Sequence, residues 1–408
     1  MTARRATLAA ALAAVAVASA AGAAVSTGEP AALLVFPLIS VDGASGTDTL
    51  VELANTDEAA VGLRCLYENP SGPEGVPSLS AFFIHLMAAQ PVAWRASAGL
   101  DAVPGSGGDS IPGLGTGAFT GILRCLAATP DGMPTDRNVL VGNATVEHFG
   151  AAAAPDSARY DATGVDALPG GPNGDTLLVL GGPAAEYAGC PESIVLQSFL
   201  DGATLALGSD GALQRGLSTT LALVTCASHL FGGTSATVDL VVTNEFGQTA
   251  QATRALQTQL VAPLSQIDTD TPSQSIFRVG TQGSLTGAIR ITPRPGSSGV
   301  LALAVAAYAD PNGGGGLHSA AISPQLAGER SDPDLVNFLF DTTVPVCVGD
   351  CNGNGTVAIN ELITGVTIAL GNQPLSACPA FDANTDQHVA INELIAAVKN
   401  ALMGCPSV

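Results

Sequence analysis

"DTLVELANTDEAAVGLRC" (48–65) is two short apolar-rich runs on either side of Asn55, Asp57 and Glu58. Runs of this length, separated by turn-forming residues, read as a strand, a turn and a returning strand. The same reading extends outward in both directions. "LLVFPLISV" (33–41), "VGLRCLY" (61–67), "AFFIHLM" (81–87), "TLLVLGG" (176–182), "TTLALVTC" (219–226) and "ATVDLVVTN" (236–244) are short apolar or alternating runs, with Gly, Pro, Asn and Asp punctuating them. No long segment before residue 360 carries a helical period. From Ala31 to about Thr343 the chain therefore reads as mainly antiparallel β, most simply as β-sandwiches.

Two local similarities suggest that this β region is duplicated. "GAFTGILRCL" (117–126) matches "GSLTGAIRIT" (283–292) as Gly-x-apolar-Thr-Gly-x-apolar-Arg, and 48–65 resembles "TVDLVVTNEFGQTAQATR" (237–254). The first match is the firmer, because a shared hairpin pattern produces the second by chance. The expected organisation is a signal segment over 1–24, two tandem sandwich-like domains over 30–185 and 186–344, and a small all-α module of two calcium loop–helix repeats over 345–408. Cys65 and Cys125 lie in the first copy, and the matching stretches of the second copy lack both. Paired absence predicts a Cys65–Cys125 disulfide and leaves Cys190 and Cys226 as a second pair, each closing a loop of tens of residues.

The 408 residues are 47% hydrophobic and 12% charged, which favours a folded chain of two or three domains. "MTARRATLAAALAAVAVASAAGAAVSTGEP" (1–30) has Arg4 and Arg5, an apolar run and small residues suited to cleavage near 20–24, the pattern of a secretory signal. The run approaches spanning length, but its alanines are weak membrane formers and an A-x-A pattern follows, so export with cleavage is expected. The predicted location is secreted, cell-surface or periplasmic, with no membrane span after cleavage. Loss of Arg4 and Arg5 takes the net charge from −21 to about −23. With Lys399 the sole lysine, nucleic acid is not an expected partner, since phosphate contacts need Lys and Arg. Eight cysteines in an exported chain read first as disulfides.

The C-terminal segment repeats at a spacing of 32: "DCNGNGTVAINELITGVTIAL" (350–370) lies over "DANTDQHVAINELIAAVKNAL" (382–402). Both copies place oxygen donors at alternate positions and end in Glu at position twelve, the calcium-loop pattern. The first loop offers Asp350, Asn352, Asn354, the Thr356 carbonyl and Glu361, with Gly355 at the sharp turn. The second offers Asp382, Asn384, Asp386, the His388 carbonyl and Glu393, with Gln387 where glycine is preferred. Hard oxygen donors favour Ca2+, up to two ions, over zinc or copper. Asx turns capping the two helices are the bland alternative, and a doubled "INEL" makes it the weaker one. Each helix carries apolar residues at helical spacing: Leu362, Ile363, Val366 and Leu370, then Leu394, Ile395, Val398 and Leu402. Cys347, Cys351, Cys378 and Cys405 allow three pairings, and the sequence does not choose among them.

Paired loop–helix repeats at the end of an exported chain, neither with a full entering helix, resemble a dockerin module over 346–408. The resemblance implies calcium-dependent folding and docking onto a cohesin-like or cell-surface partner, often on a scaffold for polysaccharide degradation. Dockerins usually end the loop with Asp, where this chain has Glu361 and Glu393. Their partner-reading positions are commonly small hydroxyl residues, here replaced by Ile359-Asn360 and Ile391-Asn392, and the four cysteines are unusual.

Evidence for catalysis is thin. His85, His148, His229, His318 and His388 are scattered, and neither Gly-x-Ser-x-Gly nor a phosphate-binding Gly-x-x-x-x-Gly-Lys occurs. "DPNGGGGLH" (310–318) follows a strand but opens no helix, so it reads as a hairpin loop. Trp94 reads as a core residue with Arg95 facing outward. The preferred expectation is a non-enzymatic β-sandwich protein with a docking module. The alternative is a secreted hydrolase, which an acidic, aromatic-lined cleft in the β region would favour.

Overall fold

The computed structural model describes residues 24–70, 78–106, 108–148, 156–199, 204–207, 213–228, 235–269, 275–278, 286–309, 317–338, 348–351, 356–381, 389 and 391–403. Its contacts divide into two compact units, one formed by Met1–Ser228 with Gly233–Asn337, the other by His229–Gly232 with Phe338–Val408.

Among the described residues, the helical segments of the first unit are α1 (Leu264–Ile267) and a three-residue 3-10 turn at Ile276–Arg278, and its regular structure is otherwise β. Its first ten strands are β1 (Val25–Thr27), β2 (Leu33–Val41), β3 (Thr47–Asn55), β4 (Val61–Asn69), β5 (Ser78–Leu86), β6 (Pro91–Arg95), β7 (Phe119–Ala128), β8 (Leu140–His148), β9 (Asp156–Asp161) and β10 (Thr163–Val165). They form a six-stranded sheet, β1-β10-β2-β7-β4-β5, and a four-stranded sheet, β6-β3-β8-β9. Every pairing within both is antiparallel. β4 is buried along its whole length and β7 along nearly all of it, so both read as continuous apolar runs instead of alternating ones.

Alternation still sorts their side chains between two faces. Tyr67 lies on the face that meets the four-stranded sheet, where Trp94 Nε1 donates to its hydroxyl at 2.6 Å. Trp94 is buried as expected, and Arg95 beside it turns outward to pair with Glu147. Cys65 and Cys125 stand directly opposite each other on β4 and β7 and form the predicted disulfide. Pro37 has no N–H for the ladder, and the β2–β7 register shifts there, between Phe36 and Ile39. The carbonyls of Pro37 and Leu38 find other donors, Gln259 Nε2 and the Tyr160 hydroxyl.

The next strands are β11 (Leu177–Leu180), β12 (Ser193–Phe199), β13 (Thr204–Leu207), β14 (Leu213–Thr225), β15 (Ser235–Asn244), β16 (Thr249–Gln257) and β17 (Gln259–Pro263). After them come β18 (Thr286–Pro293), β19 (Val300–Ala309), β20 (Leu317–Ile322), β21 (Gln325–Ala327) and β22 (Asp334–Asn337). Those from β12 to β21 build one sheet in the order β16-β15-β18-β12-β21 and another in the order β13-β14-β19-β20, with β17 also paired to β14. Their inward residues, among them Val238, Leu240, Ile289, Ile291, Leu221 and Ala302, share one apolar cluster. β11 pairs with β22. The predicted Cys190–Cys226 disulfide is present.

The two stretches compared at 48–65 and 237–254 fold differently. β15 and β16 pair as a hairpin, whereas β3 and β4 belong to different sheets. The firmer match places β7 and β18 each in the interior of a sheet, but Arg124 is buried and its counterpart Arg290 is exposed.

Arg124 belongs to a buried polar network on the second face of β4 and β7. Its Nε donates to Glu68 Oε1 at 3.1 Å, and its Nη1 and Nη2 donate to the carbonyls of Cys226 and Thr225 at 3.1 and 2.9 Å. The Ser228 hydroxyl donates to the same Glu68 oxygen. Arg124 is wholly buried and Glu68 nearly so. A charge pair from the first strand set thus holds the end of β14 from the second by the backbone.

Candidate metal centre

The C-terminal unit contains α2 (Ile359–Ala369) and α3 (Ile391–Met403), each following one of the predicted calcium loops. Of the ten predicted ligands, Asp350, Thr356, Glu361 and Glu393 lie among the described residues. Asn352, Asn354, Asp382, Asn384, Asp386 and His388 lie outside them, as do Gly355 and Gln387.

Glu361, at the twelfth position of the first loop and in the first turn of α2, is 3% exposed. Its Oε1 accepts from the amide of Cys351 at 2.9 Å and its Oε2 from the amide of Ala358 at 2.8 Å. The second bond is the glutamate half of a capping box. Ala358 has no side-chain oxygen to supply the other half, and its amide would otherwise be one of the helix's orphan donors. One carboxylate therefore closes the loop between its second and ninth positions. Asp350 is half-buried at the loop's start. Glu393, the matching residue of the second repeat, is also 3% exposed. Two buried carboxylates at the closing positions, with each oxygen of Glu361 accepting from one amide among the described residues, suit a hard cation.

The unit has a small core of Ile368, Cys378, Phe381 and Ala397, with Val348, Leu362, Val389 and Leu394 against it. Gly365 is required there, because a Cβ at that position would stand 2.2 Å from the Phe381 ring. The Cys351–Cys378 disulfide selects one of the possible pairings and ties the first loop to this core; Cys347 and Cys405 lie outside the described residues.

Burial repeats with the 32-residue period. Glu361 and Glu393 are buried, Leu362 and Leu394 half-buried, Gly365 and Ala397 buried. The other apolar residues expected to pack instead face solvent: Ile363, Val366 and Leu370 on α2, and Ile395, Val398 and Leu402 on α3. A unit this small has interior for one narrow strip per helix, and the strip it uses on α2 is Glu361, Gly365 and Ile368. Ile359 is exposed as well. Two matching apolar stripes remain outside, a surface that ordinary soluble domains seldom present.

Other groupings of reactive side chains lie in the β unit. Glu52, Asn143 and Asp161 stand in direct register across β3, β8 and β9 and line a cavity of about 500 Å³ with Gly28, Pro91 and Val92. Among the described residues no aromatic ring lines it, and Glu52 is already paired with Arg159 at 2.9 Å. His85 Nδ1 lies 2.9 Å from Asp109 Oδ2, while Nε2 faces the Pro130 carbonyl at 3.3 Å, which leaves neither ring nitrogen for a nucleophile. Cys190, Cys226 and Asp334 converge within ligand distance of one another, but the disulfide removes the thiolates that would hold a metal. The Asp334 carboxyl is pushed up by burial, opposed by hydrogen bonds from Ser298 and the Gly299 amide and by the charges of Arg330 and Arg124. Burial likewise pushes the Tyr67 and Tyr160 hydroxyls far up, as expected of core phenols.

No protein-family model matches the chain, and no curated protein matches it. Among solved structures, one from Thermotoga maritima, described as the crystal structure of Thermotoga maritima 1070, aligns at 12% identity and a TM-score of 0.22. The alignment covers 32% of this chain and 92% of that one.

Both apolar stripes were found from the sequence, but not that they face solvent, and the Phe381–Gly365 contact was missed, although the glycine that aligns with Ala397 marked the place. The Glu361 closure was partly visible, since glutamate three residues after a helix cap is the usual reciprocal partner.

Proposed function

We propose that this chain is an exported, non-enzymatic β protein, built from two sandwich-like halves, whose C-terminal loop–helix repeats bind calcium and attach it to a partner. Asp350, Asn352, Asn354, the Thr356 carbonyl and Glu361 would hold one ion. Asp382, Asn384, Asp386, the His388 carbonyl and Glu393 would hold the other. Calcium would supply a fixed positive charge that gathers the loop oxygens and rigidifies the start of each helix; its role is structural. The observation that carries the attachment reading is the pair of solvent-facing stripes Ile363/Val366/Leu370 and Ile395/Val398/Leu402. The three disulfides among the described residues agree with an extracellular setting, and no described helix is long and apolar enough to cross a membrane. The partner is a protein with an apolar docking face, cohesin-like or on the cell surface.

The test uses the oxidised full chain. Calcium is titrated while helix content and amide protection of 348–403 are followed, and binding to immobilised cohesin domains and to intact cells is measured with and without calcium. Saturable protection that the Glu361→Gln/Glu393→Gln pair abolishes is the expected result. Ile363→Asp with Ile395→Asp should keep the calcium response and lose attachment. Protection unchanged by calcium and EDTA would overturn the metal reading. Attachment untouched by the stripe substitutions would overturn the docking reading.

A further inference from the structure

The first described residue, Ala24, is held from both sides by one aspartate. Its amide nitrogen donates to Asp166 Oδ2 at 3.0 Å, and its carbonyl accepts from the Asp166 amide at 3.1 Å. β1 begins at the next residue and pairs with β10 in the register Val25–Val165, so residue 24 is docked at the end of a sheet. Ala24 itself is exposed, which leaves room for a charged group at its nitrogen. The sequence just before it is Ala21-Gly22-Ala23, small residues at the positions a signal peptidase reads. Cleavage after that triplet would make Ala24 the first residue of the mature chain.

We propose that the Ala23–Ala24 bond is the processing site, and that the α-ammonium group released on Ala24 pairs with the Asp166 carboxylate to lock the new N-terminus onto the β unit. The inference rests on the export reading above and goes beyond it. A signal peptidase adds water across the amide. Ala23 departs with the new carboxylate, and the Ala24 nitrogen takes up protons to become ammonium. The neutral N–H of the precursor is thereby replaced, at the same atom, by a full charge 3.0 Å from Asp166. Charge-assisted hydrogen bonds are roughly twice as strong as neutral ones, so processing strengthens a contact that the fold already makes. The Asp166 carboxyl agrees with this role: burial pushes it up, and the Ala24 amide opposes that push only partly. An adjacent cation would supply the rest.

The full chain is exported from a bacterial host and its N-terminus is read by intact mass and terminal sequencing. A mature chain that begins at Ala24 is expected. A mature chain that begins anywhere else, or an exported one that stays uncleaved, would overturn the proposal and leave export standing, whereas a chain held in the cytoplasm with its first residues attached would overturn the export reading itself. The ion pair is tested on four proteins: the chain from Ala24, the same chain released by a site-specific protease to begin at Ala23, and Asp166→Asn in each. Asp166→Asn should lower the Tm of the chain from Ala24 by several degrees more than that of the chain from Ala23. Acylation of the Ala24 amine at neutral pH should also be on the order of tenfold slower with Asp166 than with Asn, the ratio one unit of amine pKa produces. Equal Tm losses in both backgrounds, with equal acylation rates, would show a backbone hydrogen bond and no ion pair.

Discussion

Replacing Arg124 with methionine tests what joins the two strand sets of the β unit. The substitution removes three donated bonds, to Glu68 and to the carbonyls of Thr225 and Cys226. It leaves the Glu68 carboxylate buried, with the Ser228 hydroxyl still donating to one of its oxygens. Stranding one member of a buried pair costs about 3–5 kcal/mol. At roughly 2–4 °C per kcal/mol for a large domain, Tm should fall by about 6–20 °C. Trp94 is the only tryptophan and lies buried in this unit, so its fluorescence follows the β transition selectively. The companion variants are Glu68→Leu and the double substitution. If the pair is the cause, the double variant recovers much of the loss, because two apolar side chains strand no charge. A single variant within 2 °C of the parent, or a double variant whose loss equals the sum of the singles, would refute the reasoning.

Three further outcomes are expected. Gly365→Ala should loosen the C-terminal unit by driving a methyl into the Phe381 ring, seen as faster amide exchange over 359–381 with the Trp94 transition unchanged. Burial raises the folded pKa of Asp334 above its unfolded 3.8, so the native state binds the extra proton, and this residue's contribution to stability falls as pH rises through that window. The Tm of the parent minus that of Asp334→Asn should therefore be more favourable near pH 4 than at pH 7, and a flat or inverted difference would count against the assignment. Glu361→Gln places an amide against the backbone N–H of Cys351 or Ala358, so it should weaken the start of α2 even in EDTA and blunt the helix gain on calcium addition.

The strands were readable because turn residues bracket them and half-buried sheets impose a period of two. "ATVDLVVTN" became β15 within a residue of its expected limits. β4 and β7 were readable as strands for a different reason, since burial on both faces makes an apolar run. What that run concealed was its polar members. Arg124 inside "GILRCL" and Glu68 at the end of "VGLRCLYEN" are unusual in such company, but their meeting depends on β4–β7 pairing, and their target is a backbone a hundred residues away. Disulfide logic succeeded where pairing logic failed. Two cysteines missing together identify a contact, whereas 48–65 looked like 237–254 because any strand–turn–strand does, and only the sheets show that β3 and β4 part company.

The helices carry the sharper lesson about hydrophobic pattern. Period alone gives a face and does not say which way it points. In α2 the apolar residues span more of the circumference than the core can accept, and the inward direction is set by the least hydrophobic members, Glu361 and Gly365. Glu361 turns inward because two loop amides need its oxygens, and Gly365 because Phe381 needs its space. The more hydrophobic Ile363, Val366 and Leu370 are left outside, and the second repeat leaves Ile395, Val398 and Leu402 outside in the same places. Packing accident would not place the same three positions outward in both repeats, since the two helices meet different neighbours and differ at the glycine. The loop chemistry recurs, however, and a closing glutamate fixed at position twelve fixes the rotation of the helix that follows it. In the first repeat the rotation that aims Glu361 at two loop amides also turns Ile363, Val366 and Leu370 to solvent. In the second the buried Glu393 and the outward Ile395, Val398 and Leu402 repeat that placement, so one buried glutamate accompanies each exposed stripe.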